Sequence, residues 1–148
     1  MSILRGRCDR LIIDKKNIVF YLFLVNTILY ASYILIVSTS TGPPGADTGK
    51  EVTPYFNLIA HYIIYFGFSY FLFITFNELK AKVIQPRIYT IIFASNYGLI
   101  IELVQYHLPF RHFSWLDASI NVLGAISFVI LTFILRKFPN NKINELFM

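Results

Sequence analysis

Four apolar stretches, separated by polar segments, dominate the pattern of the chain. Each is close to the roughly 20 residues that an α-helix needs to cross about 30 Å of bilayer hydrocarbon. The predicted spans run from about Ile18 to Val37, from Leu58 to Phe76, from Ile88 to about Gln105, and from Ala118 to Leu135. Lipid offers the backbone no hydrogen-bond partner, so each span is expected to be helical. The pattern predicts an all-α polytopic membrane protein, a bundle of four transmembrane helices.

The composition agrees with this interpretation. Hydrophobic residues make up 56% of the 148 residues and charged residues only 14%, whereas a soluble domain carries about 25% charged residues. We therefore expect one transmembrane domain over residues 18–135, a basic tail over 1–17 and a second tail over 136–148. The first span is longer than the apolar region of a signal peptide and is expected to be retained.

Basic residues lie almost entirely on one side of the predicted bundle. Of the 13 lysines and arginines, only Lys50 and Arg111 fall in the loops that follow the first and third spans. Positive residues accumulate in cytoplasmic segments, so we expect both termini in the cytoplasm of a multi-pass protein of the cell membrane. Because the charges are spread between apolar blocks, the pattern argues against a nucleic-acid partner.

Six polar residues, from three predicted spans and one loop, fall in the outer part of the predicted bundle. They are His61, Glu102, Gln105, Arg111, Asp117 and Asn121. An ionisable residue inside a membrane costs about 2.5 kcal/mol or more, so such residues indicate a functional site. Spacing supports convergence, since Glu102 and Gln105 share one helical face with Gly98, and Asp117 and Asn121 share another with Gly124. We expect a small water-accessible pocket between these faces.

Simpler interpretations exist for two of these residues. Glu102 could pair with Arg111, and Asp117 could be the N-cap of the fourth span. A zinc site of His61, Glu102, His112 and Asp117 has suitable residue types, but no H-x-x-x-H or H-E-x-x-H spacing supports it. From the sequence we therefore predict no metal and no other cofactor.

The combined spacing resembles the VanZ-like family of small membrane proteins. That family's pattern is a His soon after a helix start, then E-x-x-Q, an outer P-x-R, and D-x-x-x-N-x-x-G opening the last helix. The matching positions are His61, Glu102, Gln105, Pro109, Arg111, Asp117, Asn121 and Gly124. The resemblance covers about residues 20–135. One departure is Asn57-Leu58, where members of the family often carry Asp-Lys.

The resemblance implies an integral membrane protein with a family-level link to glycopeptide antibiotic resistance. Together with the polar cluster, it leads us to expect a pocket at the outer leaflet that binds a lipid-linked or amphiphilic anionic ligand. Arg111 would hold a phosphate or carboxylate, and Gln105 and Asn121 would orient the ligand. If there is a reaction, Glu102, Asp117 and His61 are the candidates for acid–base roles.

Whether the chain is an enzyme stays open, because the spacing of the residues reveals no pair of a nucleophile and its base. The alternative function is a non-catalytic membrane subunit or assembly factor, whose polar cluster fixes helix packing and whose partner is another membrane protein. A transporter acting alone is disfavoured, since four spans show no broken helix and no inverted repeat.

Overall fold

A computed structural model describes residues 2–40, 54–79, 85–109 and 111–137, with side chains from residue 17 in the first helix and from residue 55 in the second. Four helices make up the fold: α1 Ser2–Thr39, α2 Pro54–Glu78, α3 Pro86–Tyr106 and α4 Trp115–Leu135. Within the described ranges there is no strand. The prediction of an all-α fold with four spans is confirmed.

All four helices are long and apolar enough to cross a membrane, which makes the chain a multi-pass membrane protein. Their apolar segments contain 23, 24, 21 and 21 residues, and the shorter ones reach about 31 Å at 1.5 Å per residue. α1 begins at Ser2, so residues 2–17 of the predicted N-terminal tail are helical and continuous with the first span. The segment 41–53, which belongs to the loop predicted to be outside, and most of the C-terminal tail, 138–148, lie outside the described residues.

All four helices begin earlier than the predicted spans, and local sequence signals explain the starts of α3 and α4. Pro86 occupies the first turn of α3, where its missing N–H is harmless and its fixed φ suits a helix. The fourth span was predicted to begin at Ala118, but α4 begins at Trp115 because Ser114 caps it. Asp117 therefore lies in the first turn of α4, while Arg111 and His112 precede the helix.

α2 is the central helix and packs against all three of the others. Its contact with α4 is built around Phe128, whose ring packs edge-on against Phe66, Tyr70 and Phe73 at centroid distances of 5.5, 6.1 and 5.9 Å. Helices in lipid associate largely through such packing, since burial from water supplies no force there. The α2–α4 pair is thus the tightest part of the described bundle.

Gly124 permits the close approach of these two helices. A Cβ atom at this position would stand 2.7 Å from the backbone carbonyl oxygen of Tyr62 and 3.1 Å from the backbone nitrogen of Phe66. Backbone atoms cannot move aside as a side chain does. The separation between α2 and α4 is therefore set by backbone contact at Gly124.

α1 lies at the edge of the bundle and is held there by the buried Ile34, by the Tyr30 ring stacked on Phe68 of α2, and by polar contacts. Its Thr27 hydroxyl hydrogen-bonds the Thr75 hydroxyl of α2 at 2.9 Å, and the Tyr97 hydroxyl of α3 donates to the Ala31 carbonyl at 2.6 Å. Within the described residues α1 packs on α2 and less extensively on α3, without touching α4. Most of its apolar side chains face outward, where lipid would contact them.

We predict that Gly124→Ala destabilises the protein, because the new methyl group meets backbone. Overpacking of this kind lowers the free energy of unfolding by about 1–3 kcal/mol. Gly67→Ala is the matched control, since its Cβ would meet only the movable Tyr30 hydroxyl at 2.7 Å, and we expect a change below about 1 kcal/mol. Thermal unfolding in mild detergent measures both, and equal effects of the two substitutions would contradict the prediction.

The single cysteine, Cys8, tests the predicted orientation directly. With the N-terminus in the cytoplasm, a membrane-impermeant maleimide should label Cys8 only after the membrane is permeabilised. A Cys8→Ser, Thr48→Cys variant moves the thiol to the opposite loop and should be labelled in intact cells. Labelling of Cys8 in intact cells would contradict the predicted orientation.

Candidate functional site

The predicted polar residues meet at one end of the bundle, where α1 and α3 end and α2 and α4 begin. His61 lies in the second turn of α2, Glu102 in the last turns of α3, and Asp117 in the first turn of α4. Antiparallel neighbours joined by short connections bring these ends together. The charge pattern predicts that this end faces outward.

Glu102 is the most deeply buried ionisable side chain of the site, with 0% of its surface exposed. Its Oε2 accepts a hydrogen bond from the backbone N–H of Ser114 at 3.2 Å. Its Oε1 has no hydrogen-bond partner within the part of the chain that the structure describes. Burying a carboxylate is costly unless its oxygens accept hydrogen bonds or bind a cation, so a buried Oε1 without such a partner lowers the stability of the fold.

The start of α4 explains how Asp117 becomes available to this site. Ser114 is the N-cap, and its Oγ accepts the N–H of Asp117 at 3.1 Å. In a capping box, the acidic residue three positions on returns a bond to the N–H of the cap residue. Here that N–H is donated to Glu102 instead. Asp117 is therefore not the N-cap of α4, the role that one interpretation of the sequence gave it. Its carboxylate instead lies near His61 and Glu102.

Asn121 orients His61 from the same face of α4. Its Oδ1 and the Nδ1 of His61 are hydrogen-bonded at 2.9 Å. Asn121 is fully buried and packs on Gly98 of α3, where an added Cβ would stand 3.1 Å from the Asn121 Cβ. With Asn121 as acceptor, the ring proton of His61 lies on Nδ1 and Nε2 carries the lone pair.

Three ionisable side chains converge as a result. One ligand atom from each of His61, Glu102 and Asp117 lies within 4.8 Å of the others. Glu102 is buried, while the other two are half-buried. We call these three residues the polar triad.

A cavity of about 220 Å³ opens beside the polar triad. Its polar lining consists of Ser38, Asn57, His61, Tyr65, Gln105 and Arg111. Its apolar lining, from α1 and α2, consists of Tyr33, Ile34, Val37, Phe56, Ala60 and Ile64. The lining thus combines polar and apolar side chains, several of each from α1 and α2.

The six predicted ligand-binding residues fall into two groups. His61, Gln105 and Arg111 line the cavity. Glu102, Asp117 and Asn121 instead lie around the polar triad, with His61 shared by both groups. His107 and His112 are exposed, and His107 hydrogen-bonds the Leu103 carbonyl of its own helix at 2.8 Å.

Three site residues were not predicted. Ser114 connects the α4 cap to Glu102, and its S-x-x-D spacing with Asp117 is the sequence signal that would have revealed it. The Ser38 carbonyl accepts from Gln105 Nε2 at 3.1 Å, tying the end of α1 to α3. Tyr65 is 1% exposed and its hydroxyl has no partner among the described residues. The i, i+4 spacing from His61 places Tyr65 on the same face of the second span, whereas no sequence spacing distinguishes Ser38 from ordinary membrane residues.

Comparison with known proteins adds no assignment. No protein-family model matches the chain, no curated protein does, and no solved structure does.

Removing the cap of α4 should weaken the fold at the site. Ser114→Ala deletes the oxygen that accepts the Asp117 N–H, and loss of such a cap costs about 0.5–2 kcal/mol. Ser119→Ala is the control, because Ser119 is exposed and only donates to the Trp115 carbonyl of its own helix, so a change below about 0.5 kcal/mol is expected. Thermal unfolding compares them. A Ser114→Ala protein as stable as the control would refute the capping role.

Proposed function

We propose that the chain is a VanZ-like membrane protein whose cavity binds an amphiphilic anionic molecule, such as a lipid-linked ligand, at the outer leaflet. The observation that carries this proposal is the mixed lining of the cavity, which includes Arg111 and His61 together with apolar residues of α1 and α2. A molecule with an anionic head and an apolar tail matches both kinds of lining residue. The proposed role is binding, without an assigned reaction.

The size of the cavity supports binding of a head group. Its 220 Å³ is below the roughly 300–1,000 Å³ that encloses a drug-sized ligand. A phosphate or carboxylate group with its nearest substituents fits such a volume, whereas a whole lipid does not. The apolar tail of the ligand would then extend out of the cavity past the apolar lining residues of α1 and α2.

The charges of the lining favour an anion. Arg111 offers a planar fork of donors suited to carboxylate and phosphate, and Gln105 already uses its amide N–H to bind the Ser38 carbonyl. Asn57 also lines the cavity, at the position where VanZ-like proteins often carry an aspartate. The neutral amide leaves the described lining without a carboxylate that would repel an anion.

Native mass spectrometry of gently extracted protein tests this proposal with Arg111→Ala. We expect the wild type to retain a lipid or lipid-linked mass, and the variant to retain about 10- to 100-fold less, the usual effect of losing a charge-assisted hydrogen bond. Arg136→Ala is the matched control, because Arg136 is exposed at the opposite end of α4. Arg111→Lys should recover part of the binding, since it keeps the charge but not the fork.

Two outcomes would contradict the proposal. The first is equal retention of the mass by the wild type and Arg111→Ala. The second is a stoichiometric protein partner without any small ligand, which would favour the alternative of a membrane subunit or assembly factor.

A further inference from the structure

The polar triad contains two carboxylates that do not line the ligand cavity and that the proposed function leaves unexplained. We infer that His61, Glu102 and Asp117 form a binding site for one divalent transition-metal ion, with zinc as the ion that fits them best. This inference goes beyond ligand binding in the cavity and does not require it. The argument rests on the donor atoms, their spacing and the groups that orient them.

The donor set is one imidazole nitrogen and two carboxylate oxygens, all of which are zinc ligands. Mg²⁺ and Ca²⁺ prefer shells made of oxygen alone, so the imidazole favours a transition metal. Three protein ligands also leave a fourth position for water or another molecule, as in zinc sites that are not purely structural.

The spacing of the donors suits one ion. Ligands bound to zinc at about 2.0–2.2 Å in tetrahedral geometry stand roughly 3.3–3.6 Å apart. The three donor atoms lie within 4.8 Å of one another. Small side-chain rotations that shorten the longest separation by about an ångström would complete the geometry.

Hydrogen bonds with neighbouring residues orient two of the three proposed ligands, His61 and Glu102. Asn121 Oδ1 accepts the His61 Nδ1 proton, which leaves Nε2 to bind a metal, and such outer partners are usual for metal-bound histidines. The Ser114 N–H holds Glu102 Oε2 and leaves Oε1 without a hydrogen-bond partner in the described chain. Oε1 is therefore the oxygen of Glu102 that is available to bind a metal.

Electrostatics gives the same answer. Glu102 is completely buried with a second carboxylate, Asp117, close by. Two negative groups so close inside a bundle need compensating positive charge or a proton, and Arg111 is near enough to act on Glu102 as one such charge. A divalent cation would add positive charge between the two carboxylates and would also give Oε1, which has no hydrogen-bond partner among the described residues, an atom to bind. Since His61 belongs to both the polar triad and the cavity wall, a bound ion would be adjacent to any anion held there.

The test is zinc binding by the full-length protein in mild detergent, after removal of metal and without any added amphiphile. Competition against a chromophoric chelator should give one zinc ion per chain for the wild type. Glu102→Gln, His61→Ala and Asp117→Asn each remove one donor and should weaken binding by more than about 100-fold, since loss of an outer-shell partner alone costs about 10- to 100-fold. Asn121→Ala should fall within that smaller range, and Asn121→Asp, which keeps the acceptor, should restore binding.

Matched controls separate the polar triad from other donors. Glu78→Gln lies at the opposite end of α2 and His107→Ala is exposed on α3, and neither should change zinc affinity. Asp117→Asn keeps a residue suited to a helix N-terminus, so it serves as the decisive variant if Glu102→Gln does not fold. Visible absorption of the Co²⁺-loaded protein provides a second readout of tetrahedral coordination.

The inference is overturned if the wild type binds no more zinc than the Asp117→Asn protein, or if the controls lose as much affinity as the polar-triad variants. Neither result depends on Arg111 or on the amphiphile. Failure of the metal site therefore stays distinguishable from failure of the cavity to bind its anion.

Discussion

The hydrogen bond from the Ser114 N–H to Glu102 is the interaction on which this end of the bundle depends. Inside a membrane, polar groups must find partners within the protein, and this bond satisfies one oxygen of a fully buried carboxylate. It also occupies the N–H that Asp117 would otherwise accept in a capping box. One bond thus joins α3 to α4, secures Glu102 and leaves Asp117 to face His61.

The bundle has a central part and a peripheral part. α2, α3 and α4 supply the polar triad, whereas α1 packs at the edge through Ile34, through the Tyr30 ring and through the Thr27–Thr75 hydrogen bond. α1 nevertheless supplies much of the apolar lining of the cavity. The cavity therefore lies where the peripheral helix meets the central part of the bundle.

The sequence predicted the four helices well, because long apolar runs have few alternatives in lipid. The helical spacing of Glu102 with Gln105, and of Asp117 with Asn121, also predicted the faces that meet. It did not predict the division of six residues between a cavity and the polar triad, since that depends on helix rotation. Nor did it reveal the partner of Glu102, because a backbone N–H has no signature in the sequence.

Gly124 shows where the geometry of the site is decided. It has no functional group, yet its contact with the Tyr62 carbonyl, one residue after His61, fixes how far α4 stands from α2. The distance between His61 and Asp117 therefore depends on residue 124 having a hydrogen atom in place of a side chain. Ranking positions by the reactivity of their side chains would overlook Gly124, although it sets the spacing between the helices that carry the reactive residues.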